Sequence, residues 1–124
     1  MNTANSKAQE LEMRIVSFSG DILNISSKLP STPQGKHIAT QILRCGTAAA
    51  ANYGEARGAE SRKDFIHKLR IVLKELNETA VWLQLIAKGS LLPPEMISAI
   101  LTENRELGPK SSPLQSKTAR AATP

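Results

Sequence analysis

Between Ile66 and Ala87 the residues Ile66, Leu69, Leu73, Leu76, Ala80, Leu83 and Ala87 recur at steps of three and four without a break. That spacing puts all of them on one side of a 3.6-residue helix and fits no strand. Ser61 with Asp64 three residues later gives the helix a capping-box-like start, and Lys88-Gly89 gives it a matching end. The spacing therefore predicts a helix over 62–88, with Phe65, Val72 and Ile86 widening its apolar seam. Ile71, Trp82 and Leu85 form a further stripe, with Glu75 and Glu78 between them. Two apolar faces imply a helix buried on two sides or one that keeps a face for another subunit, so this stripe is the expected oligomer interface.

Three more helices follow from the same reasoning. Leu11, Ile15, Phe18, Ile22, Ile25 and Leu29 make a heptad seam that predicts a helix over 7–29, stopped by Pro30. After the Pro30–Gly35 connector, a second helix is expected over 36–57. Its Gly46, Ala50, Gly54 and Gly58 are four apart and leave a stripe of minimal side chains where another backbone can come close. Pro93-Pro94-Glu95 opens a fourth helix over 94–107, which Gly108-Pro109 is expected to end. Residues 108–124 are small, polar and proline-interrupted, the composition of a disordered tail, with basic charge from Lys110, Lys117 and Arg120. Strand signals are absent. The expected fold is all-α, a single up-and-down antiparallel four-helix bundle over 1–107.

The lone Cys45 permits no internal disulfide, and no basic-then-apolar leader or membrane-length apolar run is present. These point to a cytoplasmic chain with no membrane partner. Enzyme chemistry lacks its parts. No glutamate has a histidine three residues on, as a di-metal carboxylate bundle requires, and His37 and His67 are the only histidines. Cys45 lies among alanines on the apolar side of its helix, where a thiol is inert. Gly35-Lys36 lacks the remaining glycine and hydroxyl residue of a phosphate-binding loop. Neither a catalytic residue, a metal nor a cofactor is expected.

The net charge of +5 is unevenly spread. Arg57, Arg62, Lys63, His67, Lys68, Arg70 and Lys74 fall within eighteen residues, a cluster able to attract phosphate or to form a solvated helix face. Phe18, Tyr53, Phe65 and Trp82 are too few and too closely aligned with the seams to build a base-stacking platform. If the second and third helices pack antiparallel through the turn at Gly58–Glu60, residues equally far from that turn come opposite each other. Asn52 and Glu55 then face Asp64 to Lys68, and Arg44 comes near Glu75, with Glu78 further along the same helix. These seven residues are the expected structural polar network.

Three blocks of this region, Asn52-Tyr53-Gly54-Glu55-Ala56-Arg57, Ser61-Arg62-Lys63-Asp64-Phe65 and Lys74-Glu75-Leu76-Asn77-Glu78-Thr79 with Trp82-Leu83, resemble the four-helix-bundle family of 23S ribosomal RNA intervening-sequence proteins. The resemblance spans about residues 36–90 and implies an up-down bundle without catalysis that assembles as a homopentamer. It also implies kinship with the accessory variability determinant of diversity-generating retroelements, which presents a positive surface to nucleic acid and to a reverse transcriptase. Carried onto this sequence, the expectation is an oligomeric scaffold that contacts RNA or DNA through Arg57, Arg62, Lys63, Arg70 and Lys74. The alternative is an adaptor that docks a partner polypeptide such as a reverse transcriptase. Gly54 stands where many relatives carry a basic residue, which removes one phosphate contact per subunit.

Overall fold

The structure, a computed structural model, describes residues 3–113, with side chains from Lys7 onward. It holds four helices, α1 (Thr3–Lys28), α2 (Pro33–Arg57), α3 (Arg62–Lys88) and α4 (Pro94–Ser111), and no strand among the described residues. Short links make consecutive helices antiparallel neighbours. The α2–α3 contact is the most extensive and α1–α4 the thinnest, so the four pack in a closed ring, α1 beside α2, α2 beside α3 and so round. Most of the expected basic tail, from Leu114 onward, lies outside the described residues.

The seam of α1 forms as its spacing requires. Ile15, Phe18, Ile22 and Ile25 are buried against Ile38, Ile42, Ala49, Tyr53 and Ala56 of α2. The two helices touch most closely at Gly46, where a Cβ would stand 2.5 Å from Ile22 Cγ2. Ser19 Oγ uses the same approach to donate a 2.6 Å hydrogen bond to the Gly46 carbonyl. The small-residue stripe is tight only there: the position of a Cβ on Gly54 meets nothing nearer than Glu12 Oε2 at 3.6 Å.

Helix α3 has the expected bounds, 62–88, and α1 begins at Thr3 rather than at 7; three helix ends show features beyond the sequence expectation. First, α2 begins at Pro33, because Thr32 caps it by accepting from Gly35 N–H at 3.1 Å and proline suits the first helical position. Gly35 then packs on the connector so closely that a Cβ would lie 2.0 Å from the Pro30 carbonyl oxygen. Second, α3 ends in a Schellman motif: Ser90 N–H donates to Ala87 O at 3.2 Å and Leu91 N–H to Ile86 O at 3.0 Å. Its left-handed residue is Ser90, with φ 56°, and not the preceding glycine. Third, α4 continues through Gly108-Pro109 to Ser111. Proline removes one backbone donor there, but Leu107, Gly108 and Ser111 are all buried, and packing holds the extra turn. That turn leaves Ser111 Oγ without a hydrogen-bond partner among the described residues.

The buried line of α3 is also rotated from the expected seam. Leu69, Val72, Leu76, Thr79, Leu83 and Ile86 are buried, while Ile66, Leu73, Ala80 and Ala87 are half-buried. The rotation follows from the dominant α2 contact, which draws Val72, Thr79 and Ile86 inward. Thr79 is tolerated in the core because its hydroxyl donates to the Glu75 carbonyl at 2.7 Å.

Candidate nucleic-acid interface

Helix α3 has neighbours on two sides and solvent on its remaining face. Ser61 fixes its first turn by accepting from Asp64 N–H at 3.1 Å. From that start Lys63, His67, Arg70 and Lys74 follow at steps of four, three and four and are all exposed. Arg62 is exposed as well. None of these five forms a hydrogen bond or ion pair with another described residue.

Four other cations are engaged, whereas Lys28, Lys36, Lys88, Arg105 and Lys110, spread over the four helices, form no ion pair among the described residues. Arg57, expected to contact phosphate, turns back to α1 and bonds Glu12 at 2.6 Å. Arg14 forms a two-pronged pair with Glu103 on α4, with Nε at 3.0 Å from Oε2, and reaches Glu106 at 3.3 Å. Lys68 donates to Glu55 at 2.8 Å across α2–α3. Hydrogen bonding to Glu55, then the charges of Glu55 and Asp64, raise the Lys68 pKa.

Arg44 lies 3.6 Å from Glu75 and bonds Glu78. The Trp82 indole N–H donates to the same Glu78 at 3.1 Å, and its ring meets His37 of α2 edge to face, with 5.8 Å between centroids. The Trp82 hydrogen bond, then that of Arg44, hold the Glu78 carboxyl below the ordinary glutamate range. Of the expected polar network, the structure brings together Arg44, Glu55, Lys68, Glu75 and Glu78. Asp64 acts on Lys68 only through its charge. Asn52 bonds back to Ala48 O of its own helix at 2.9 Å.

Ile71 and Trp82 of the expected interface stripe are half-buried, and only Leu85 is broadly exposed. Apart from Val81 of α3 at 53%, the most exposed large apolar residues are on α1 instead: Met13 at 66%, Val16 at 54% and Leu23 at 50%. They escape a core-directed reading because they fall outside the α1 heptad seam. Asn104 was also missed. It is buried and ties α4 to α3 by donating to the Leu76 carbonyl at 3.1 Å; its one signal is an amide within the apolar run Ile97, Ile100, Leu101 and Leu107. An open groove of about 390 Å³ runs over this contact between Leu73, Asn77, Gly108 and Arg105.

Among the described residues no group of three or more His, Cys, Asp or Glu could hold a metal ion. No helix among the described residues is long and apolar enough to cross a membrane. Burial raises the Cys45 pKa and keeps its thiol protonated.

The family of 23S rRNA-intervening sequence proteins matches residues 5–112. A crystal structure of a protein with unknown function from the S23 ribosomal protein family, from Bacteroides thetaiotaomicron VPI-5482, superposes with a TM-score of 0.79 at 34% identity. The match covers 85% of this chain and 94% of that one. No curated protein matches the chain significantly. With a family match across nearly all the described residues and the same bundle in a relative, the chain belongs to the 23S rRNA-intervening sequence protein family.

Proposed function

We propose that this protein is a non-enzymatic, oligomeric scaffold that associates with nucleic acid through the outer face of α3. The observation that carries the reading is the clustering of unpaired, exposed cations on one helix, α3. Arg14, Arg44, Arg57 and Lys68 are engaged in ion pairs within the bundle, whereas Arg62, Lys63, Arg70 and Lys74 present charge to solvent. Solvent-facing cations ready to replace counterions are what a phosphate backbone recruits. Phosphate contact is accordingly assigned to these four, with Arg57 kept for the α1–α2 joint.

Assembly multiplies the row. The pentamer implied by the family resemblance would repeat it five times, and modest patches held together bind through effective concentration. Copies would meet through the apolar outer face of α1 rather than through Ile71 and Trp82, which the α2–α3 contact already half covers. The test is anisotropy of a labelled RNA hairpin and a matched DNA duplex with wild type and with Arg62→Glu/Lys63→Glu. Loss of about tenfold or more in affinity on reversal supports the reading. Unchanged binding removes it.

The second reading is an adaptor that docks another polypeptide, such as a reverse transcriptase. It is favoured by the same α1 residues, Met13, Val16 and Leu23. It gains if Leu23→Glu leaves the oligomer intact while abolishing capture of a purified partner.

A further inference from the structure

The chemistry of the α3 row bears on which form of nucleic acid it takes, an inference that rests on the proposed function. Lys63, Arg70 and Lys74 lie within twelve residues of one helix, about 16 Å along its axis. The helix beneath them runs unbroken from Arg62 to Lys88 and is fixed by burial of Leu69, Val72, Leu76, Leu83 and Ile86 in the core. The cations therefore stand on a rigid line. A duplex offers a matching object, stiff over about 150 base pairs and carrying one charge per ~1.7 Å of axis, so neither partner must be ordered for them to meet.

A flexible single strand would have to be straightened along the row. Proteins that bind single strands offset that cost by stacking bases on aromatic rings, at about 1–3 kcal/mol per base. This bundle has no such platform among its described residues. Phe18 and Tyr53 are buried and Phe65 is half-buried. Trp82 is turned toward α2, with its N–H on Glu78 and its ring against His37. The only ring on that exposed face of α3 is the imidazole of His67, which is not among the assigned phosphate contacts. We infer that the outer face of α3 binds double-stranded nucleic acid through its backbone, without base readout, in preference to single strands.

The full-length protein would be titrated at low salt with a labelled duplex and with unstructured oligo(dT) and oligo(U) carrying the same number of phosphates. Variants Arg70→Glu/Lys74→Glu and His67→Ala, checked for helicity by circular dichroism, would be run beside it. The expected result is duplex binding at least about tenfold tighter than either single strand, lost with the double reversal and unchanged with His67→Ala. Single strands that bind as tightly as duplex, or a His67→Ala variant that loses most affinity, overturn the inference while leaving nucleic-acid association in place. No binding to any of the three overturns the proposed function along with it.

Discussion

At the scale of the residue, two glycines and a serine show how local geometry decides the sign of a substitution. Gly46→Ala would gain about 1 kcal/mol of helix propensity. It would also force a methyl to within 2.5 Å of Ile22 Cγ2, a buried branched carbon with nowhere to move. Overpacking costs about 1–3 kcal/mol, so the expected outcome is a net loss of about 1 kcal/mol, together with strain on the Ser19 bond. Gly54→Ala has only ordinary contact with Glu12 and should gain close to the full ~1 kcal/mol. Urea denaturation of the pair checks both signs. Ser90, at φ 56°, carries the left-handed penalty of about 1 kcal/mol, so Ser90→Gly should raise the melting temperature. This position shows what sequence could not supply. Lys88-Gly89 announced the end of α3, but which residue turns left-handed is set by how Leu91 folds back on Ile86 O.

At the scale of the element, the α2–α3 pair was legible in its register and less so in its rotation. The antiparallel turn at Gly58–Glu60 alone placed Glu55 against the Asp64–Lys68 stretch and Arg44 near Glu75, because distance from a hairpin turn is a sequence quantity; that Arg44 also bonds Glu78 was found only in the structure. The rotation of α3 that buries Thr79 was not legible, since it depends on which neighbour packs most extensively. The end of α4 failed for a related reason: Gly108-Pro109 reads as a stop until the burial of Leu107 and Ser111 outweighs it. The Arg44–Glu78–Trp82 group yields a pH test. Because Glu78 is held below its unfolded value, its contribution is complete above the unfolded carboxyl range and disappears as pH falls through the folded one. Wild type should therefore lose stability between about pH 5 and 3. Glu78→Gln should flatten that limb, as read by urea midpoints across pH with Trp82 fluorescence.

At the scale of the molecule, the bundle separates its surfaces by chemistry. Met13, Val16 and Leu23 are exposed on α1, Arg62, Lys63, Arg70 and Lys74 are exposed on α3, and ion pairs stitch the joints between helices. The fold class was readable because seam spacing and breakers agree along the whole chain. The division of cations into engaged and solvent-facing was not, because Arg57 and Arg62 look alike until Glu12 is found across the α1–α2 contact. If α1 carries the copy–copy contact, Leu23→Glu should reduce the light-scattering mass to that of one chain with helicity retained. Trp82→Ala should leave the mass unchanged. The reverse pattern would restore the stripe of Ile71, Trp82 and Leu85 as the interface.

The central claim, that α3 presents a phosphate-binding row, is tested most directly by the salt dependence of duplex affinity. With Arg62, Lys63, Arg70 and Lys74 in contact, log affinity should fall with log salt at a slope of about −3 to −4 for each engaged subunit. Arg70→Glu/Lys74→Glu should flatten that slope by about 2 per engaged subunit. A slope near zero, or one that the double reversal leaves unchanged, would contradict the account and leave the row a solvated face.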